Sequence, residues 1–266
     1  MIKDITIGQY YETDSYLHSL DPRVKLTGTL FYIISLFILD NIAAFILATI
    51  FLVGMIVLSH VPFKFMIKGM KAIMFLLMIT VIFNLIFTSG EPIFTLWKIT
   101  VTKQGLKIAV MTMFRLTYLI LGSSLMTLTT TPNQLTDGLE RQLRPLKVVR
   151  FPVHEIAMMM SIALRFIPIL MDETDKIMKA QMARGADFES GNLITKAKAM
   201  VPLLVPLFVS AFRRANDLAM AMEARGYRGG EGRTKYKPLV YTAKDRVAYG
   251  VLYVYLIAMV VITVLM

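Results

Sequence analysis

The chain has 266 residues, 56% of them hydrophobic, and its mean hydropathy of +0.62 comes from apolar residues gathered in blocks, which places it among membrane proteins. A net charge of +11 would suit nucleic acid in a soluble protein, but in a membrane protein basic residues hold loops in the cytoplasm, so nucleic acid is not an expected partner. The absence of cysteine excludes disulfides, thiolate catalysis and Cys-ligated metals.

Residues 1–25 are mixed and polar, without the charged start, apolar stretch and small-residue cleavage site of a secretory signal. They end in Leu20-Asp21-Pro22-Arg23-Val24-Lys25, where Asp21 can cap a helix and Pro22 suits its first position. Leu26 to Leu39 and Ile42 to Leu58 are apolar runs joined by Asp40-Asn41, which predicts two spans and a tight hairpin. A basic connection with Lys64, Lys68 and Lys71 follows. A third span, about Met70 to Phe87, is broken by Ser89-Gly90-Glu91-Pro92. The stretch to Gln104, with Trp97, suits an interfacial loop on the outer side. The fourth span, about Leu106 to Leu128, contains Arg115, whose charge must face other helices or water and bond to a carbonyl or an amide such as Asn84.

Beyond Thr129-Thr130-Thr131-Pro132 the character changes, with nineteen Lys or Arg and twelve Asp or Glu between 131 and 246. Thr131 and Pro132 open a short helix to Leu143. Ile156 to Met171, which contains Arg165 and Pro168, and Ala199 to Phe212, with Pro202 and Pro206, are apolar but short for a crossing. Each runs into an amphipathic stretch with acid-before-base pairs at helical spacing, such as Asp172 with Lys176 and Asp175 with Lys179. The pattern predicts two long helices, His154 to Arg184 and about Asn192 to Arg225. After Gly229-Gly230-Glu231-Gly232 comes a final span, Arg246 to Leu265.

The two long helices end alike. Ala180-Gln181-Met182-Ala183-Arg184-Gly185 and, 41 positions later, Ala221-Met222-Glu223-Ala224-Arg225-Gly226 share four of six residues. In each an Arg sits at the negative helix end and a Gly follows, where a helix stops through a left-handed residue. One such end is ordinary termination; two with the same flanks suggest a matched pair of tips.

Topology agrees. With the N-terminus inside, five spans leave twenty-five of the twenty-nine basic residues in the cytoplasm, as the positive-inside rule favours. If the two short apolar stretches also crossed, Arg184 and Arg225 would fall on opposite sides. The expected fold is therefore an all-α membrane protein with about five transmembrane helices and a cytoplasmic or interfacial coupling domain of one short and two long helices. The expected division is 1–130, 131–240 and 241–266.

Catalytic patterns are missing. There is no Gly-x-x-x-x-Gly-Lys-Ser/Thr loop, no His-Glu-x-x-His and no Gly-x-Ser-x-Gly, and His18, His60 and His154 are too isolated to read as a metal site. No catalytic residue, cofactor or metal is expected. A membrane protein with two Arg-tipped helices on the cytoplasmic side suggests mechanical coupling to a two-part soluble partner, each guanidinium pairing with a carboxylate. A permease that itself binds solute is the rival, motivated by Arg115 and the proline-broken apolar segments.

The chain closely resembles the transmembrane T component of energy-coupling factor transporters, the EcfT/CbiQ family of vitamin and metal importers. The resemblance rests on Leu20 to Lys25, Thr129 to Pro132, Ala163-Leu164-Arg165-Phe166-Ile167-Pro168, and the Ala-Arg-Gly motifs Ala183-Arg184-Gly185 and Ala224-Arg225-Gly226. It implies a multi-pass subunit of the bacterial cell membrane that catalyses nothing itself. It also implies that each motif docks on one of two cytoplasmic ABC ATPases, and that a membrane S component, which captures the substrate, lies against this subunit. Arg115 and Arg165 are candidates for structural or intramembrane roles.

Overall fold

The structure, a computed structural model, describes residues 10–39, 41–96, 99–188, 192–229 and 238–265. Asp40, in the expected first hairpin, and Trp97 lie outside the described residues. The chain divides into two compact units, one of residues 8–139 with 239–266 and one of 140–238.

The first unit is a bundle of α1 (Pro22–Phe37), α2 (Ile42–Ser59), α3 (Phe63–Phe87), α4 (Lys103–Thr129) and α8 (Ala243–Leu265), with the start of α5 (Pro132–Leu143). Its helix starts are those the local sequence calls for. Asp21 accepts from the Arg23 amide at 2.9 Å ahead of Pro22, and Thr131 and Gln134 cap each other's backbone at 3.3 and 3.1 Å in a reciprocal box. Between α3 and α4 the chain forms an antiparallel hairpin, β1 (Pro92–Leu96) and β2 (Ile99–Thr102), where a loop was expected. The physical reason is composition: both segments are rich in β-branched and aromatic residues.

Small residues and hydroxyls build the bundle's interior, as membrane helices require when bilayer and core are equally apolar. Ala44 and Ala48 are fully buried; the Tyr118 hydroxyl meets Thr49 Oγ1 at 2.6 Å and the Tyr255 hydroxyl meets Ser35 Oγ at 2.9 Å. Phe51 stacks on Tyr255 with ring centroids 4.1 Å apart. Gly122 is required because a Cβ there would stand 2.4 Å from the Tyr32 ring. Outward, Ile42, Ile46, Ile50, Val53 and Val57 form an exposed stripe on α2, the surface a bilayer solvates.

One end of the bundle is tied by charge. Asp245, 1% exposed, accepts from the Asp21 amide at 2.8 Å and from the Thr242 amide and hydroxyl at 2.7 Å each. Arg23 binds both oxygens of the Asp21 carboxylate, at 3.0 and 2.7 Å, and its guanidinium lies 3.7 Å from the Tyr241 ring centroid. Lys25 donates to the carbonyls of His18, at 3.2 Å, and Thr129, at 2.8 Å. His18 bonds Ser15 and the Tyr11 carbonyl, and burial, with Lys25 acting in the same direction, lowers its imidazole below the ordinary range. These bonds join the N-terminal segment, α1, the end of α4 and the start of α8.

The second unit holds the end of α5, a 3-10 turn (Arg144–Val149), α6 (Val153–Ala183) and α7 (Leu193–Ala224). Four helices among the described residues are long and apolar enough to cross a membrane: α2, α4, α6 and α8. The presence of α6 differs from the sequence expectation. The helix has the predicted extent, 31 residues from Val153 to Ala183, but its apolar content suffices for a span, where Ile156 to Met171 alone is short. The 16-residue α1 falls below that length, whereas α3 has 25 residues, apolar over Ile73–Phe87 among the described residues.

Replacing Asp245 with Ala leaves three donors facing a buried gap. The variant should lose about 3 kcal/mol of stability, read as a lower thermal unfolding midpoint in detergent, with Asp245→Asn retaining part of it.

Candidate functional site

The two Arg-Gly tips close with the same pair of bonds after the arginine, and these bonds show why the sequence ends each helix there. At the first, Arg184 is the last residue near helical geometry and Gly185 follows at φ +89°. The Gly185 amide donates to Met182 O and the Ala186 amide to Gln181 O, both at 3.0 Å. At the second, Gly226 has φ +72°, its amide donates to Glu223 O at 2.8 Å, and Tyr227 donates to Met222 O at 3.0 Å. This is the Schellman motif twice, residue for residue. A Cβ on either glycine would meet nothing within 4 Å, so the backbone angle, and no crowding, selects glycine.

Ala183, Arg184, Gly185, Ala224, Arg225 and Gly226 are all exposed. Neither tip guanidinium has a hydrogen-bond or ion-pair partner among the described residues. Each arginine stands at the carbonyl-rich, negative end of its own helix, which keeps the cation in place without consuming its donors.

The tips are placed by the way α6 and α7 pack. Glu173 and Arg214 form an ion pair of 2.8 Å, Gln181 Nε2 reaches Pro202 O at 3.5 Å, and Met158 and Ile162 face Leu218 and Met222 across a cleft of about 410 Å³ that also borders Arg225. Low numbers on α6 meet high numbers on α7, so the helices run antiparallel and the tips stand at opposite ends of the pair. Glu173 and Arg214 are 41 positions apart, as are the two arginines, so exchanging the helices maps the ion pair onto itself and each tip onto the other. The pair therefore has an approximate two-fold relation centred on the salt bridge. Each tip lies eleven residues beyond it along a proline-free arm, which puts the tips about 30 Å apart at 1.5 Å per residue.

A two-fold pair brings equivalent positions together at its axis, where like charges would repel. Asp172-Glu173 on α6 is matched by Arg213-Arg214 on α7, and the ion pair uses that opposition. The expected pairs Asp172 with Lys176 and Asp175 with Lys179 are not closed among the described residues; the acid of this turn that does bond reaches across to α7. The opposed charges at matching positions were the signal in the sequence for this contact.

The other candidates lie apart from the tips. Arg115 on α4 donates from Nη2 to the Leu39 carbonyl, so its charge is engaged with backbone just past α1, a carbonyl as expected. Asn84 donates to Thr80 O within α3. Arg165 is exposed on α6, with no partner among the described residues. His154 meets Glu140 at 3.1 Å and His60 closes α2 at φ +53°. No three His, Asp or Glu side chains come together as a metal site among the described residues.

The family model CbiQ, described as cobalt transport protein, matches residues 13–236. The chain belongs to this family. It is similar to the energy-coupling factor transporter transmembrane protein EcfT of Clostridium kluyveri, 55% identical over 251 residues that cover 93% of each chain. The EcfT proteins of Bacillus subtilis, 51% identical over 92% of this chain and 93% of theirs, and of Lactococcus lactis, 44% identical over 92% of each, are similar along the same length. Membership of a transporter family, together with the apolar helices, makes the chain a membrane component of a transporter.

Gly185→Ala and Gly226→Ala each force a side chain into the left-handed region, at a cost of about 1 kcal/mol. Amide exchange at Ala186 or Tyr227 should then quicken about fivefold at the altered tip, the other tip serving as the unchanged reference in the same hydrogen-exchange measurement.

Proposed function

We propose that this chain is the transmembrane coupling and scaffold subunit of an ATP-driven importer of the energy-coupling factor type. Two cytoplasmic ABC ATPases dock on it, one at Ala183-Arg184-Gly185 and one at Ala224-Arg225-Gly226. A separate membrane S component binds the vitamin or other micronutrient and rests against it. The observation that carries this reading is the duplication: two identically capped, unpaired arginines at opposite ends of a two-fold helix pair suit a partner that is itself two similar halves.

In this reading the N-terminus and the 131–240 region are cytoplasmic or interfacial, and α1, α2, α3, α4 and α8 cross the bacterial cell membrane. The uneven distribution of basic residues, twenty-five of the twenty-nine falling on that side, supports this arrangement. Each guanidinium enters a cleft of an ATPase and pairs with a carboxylate there. ATP hydrolysis takes place in those partners, and closure of the ATPase dimer pulls the two tips relative to each other. Between each tip and the Glu173–Arg214 crossing the helix contains no proline, so a displacement at the tip is carried as a rigid arm to the crossing and on to the apolar halves around 156–171 and 199–212. Those halves, exposed at Met159, Met200, Leu204 and Phe208, are the surface on which the S component is moved. Substrate choice belongs to that component, and the adaptable Met side chains of α6 and α7 suit a scaffold that accepts more than one.

A solute-binding permease finds less support, because Arg115 is engaged with the Leu39 carbonyl. Reversing charge at one tip, Arg184→Glu or Arg225→Glu, should weaken ATPase docking by at least thirtyfold, equivalent to about 2 kcal/mol, and the double variant should abolish co-purification of the ATPases and uptake. Full assembly and transport by the double variant would exclude the docking role.

A further inference from the structure

The membrane bundle encloses a cavity of about 380 Å³ that the coupling function leaves without a purpose. Leu52, Leu125 and Leu252 form its buried floor; Leu58 on α2 and Val247 and Val251 on α8 line it and are exposed, so its mouth opens between those two helices, on the side that faces lipid. Along α1 it runs from Lys25 to Tyr32, a depth of about 10 Å at the helical rise. Its walls are mostly apolar, with Thr29 and Tyr32 along the shaft, and its one charged lining residue, Lys25, lies with Thr129 at the end where the N-terminal segment and α8 are tied together.

Gly28 adds to the cavity's volume. Glycine is, after proline, the least favourable residue for a helix interior, and α1 places one there with nothing within 4 Å of the position a Cβ would take. Gly122, on the opposite wall, is explained by the Tyr32 ring packed on it. No such neighbour explains Gly28. The omitted side chain is part of the cavity's volume.

The polar end suits an anion. Among the described residues Lys25 gives two of its three N–H donors, to the carbonyls of His18 and Thr129, which leaves one for an occupant. The nearby carboxylates are engaged: both oxygens of Asp21 by Arg23, and Asp245 by three donors from Asp21 and Thr242. Arg23, Lys25 and Lys244 stand near Asp21, Asp245 and, beside His18, Asp14, and of these groups Lys25 is the one that lines the cavity.

We propose that this cavity is a lipid site, holding one acyl chain of an anionic phospholipid from the surrounding bilayer, with a phosphodiester oxygen accepting from Lys25 at the rim. The lateral mouth admits a chain, the shaft is mostly apolar to a depth of about 10 Å, and Lys25 at the rim has the charge for the headgroup. The site is independent of ATPase docking.

The full-length chain, purified in mild detergent and titrated with phosphatidylglycerol or phosphatidylcholine, tests this by native mass spectrometry. One phosphatidylglycerol should bind at least tenfold more tightly than phosphatidylcholine, and Gly28→Leu, which fills the shaft, should lower that affinity at least tenfold. Gly54→Leu adds the same side chain to an exposed position of α2 outside the cavity and should leave binding unchanged. Equal binding of the two lipids, or undiminished binding by a folded Gly28→Leu variant, would overturn the proposal. A phosphatidylglycerol with a photoreactive acyl chain gives a readout on the unaltered chain: labelling of Met55 or Met126 inside the cavity is the expected result, and labelling confined to outward residues such as Ile50 and Val254 would overturn it.

Discussion

Glu173 and Arg214 meet at 2.8 Å where α6 and α7 cross, and the arrangement of the tips follows from that contact. Both side chains are partly exposed, so its worth is that of a surface pair, well under what holds a fold together. Its effect is on register. With α6 and α7 antiparallel, a slip of one turn would move the acid past the base and bring like charges of the neighbouring turns together. The bond fixes residue 173 opposite residue 214, and the equal eleven-residue arms then place Arg184 and Arg225 at matching distances on either side. The glycines finish the work: at φ +89° and +72° they follow each C-cap arginine and stop the helix there, so the guanidinium stands at an end that none of the described residues covers.

The membrane unit relies on a different device. Its helices cannot be driven together by the hydrophobic effect in lipid, and its outward faces, such as the Ile42 to Val57 stripe, are as apolar as its interior. Definition comes from polar groups: Asp245 bonding across 224 residues to the Asp21 amide, Lys25 spanning to Thr129, and Arg115 reaching the Leu39 carbonyl. Each satisfies backbone groups or charges that hydrocarbon could not, so each specifies one arrangement of the bundle. Arg115 is costly in a membrane helix only without such a partner.

The features legible in the sequence were the local ones. Asp21-Pro22, Thr131-Pro132 and the two Arg-Gly ends announce helix boundaries through a cap, a fixed φ or a left-handed residue, and each boundary falls within a residue or two of where those signals put it. The bonds that set register were not legible. Nothing near Asp245 says that it will meet residue 21, and the i,i+4 pairs along α6 drew attention from the cross-helix bond that forms. The hairpin of β1 and β2 is not legible, because two strands of five and four residues are too short to stand out among spans. The extent of α6 was legible too: the helix predicted over His154 to Arg184 runs from Val153 to Ala183, through both Arg165 and Pro168.

Two tips held apart by an antiparallel pair is the claim on which the coupling account rests. Because the native chain has no cysteine, spin labels can be placed at Met182 and Glu223, equivalent exposed positions two residues before each arginine. Double electron–electron resonance should give a single distance of about 30 Å, set by the helical rise along the two arms. A distance near 15 Å, as for tips lying side by side on parallel arms, would contradict the account.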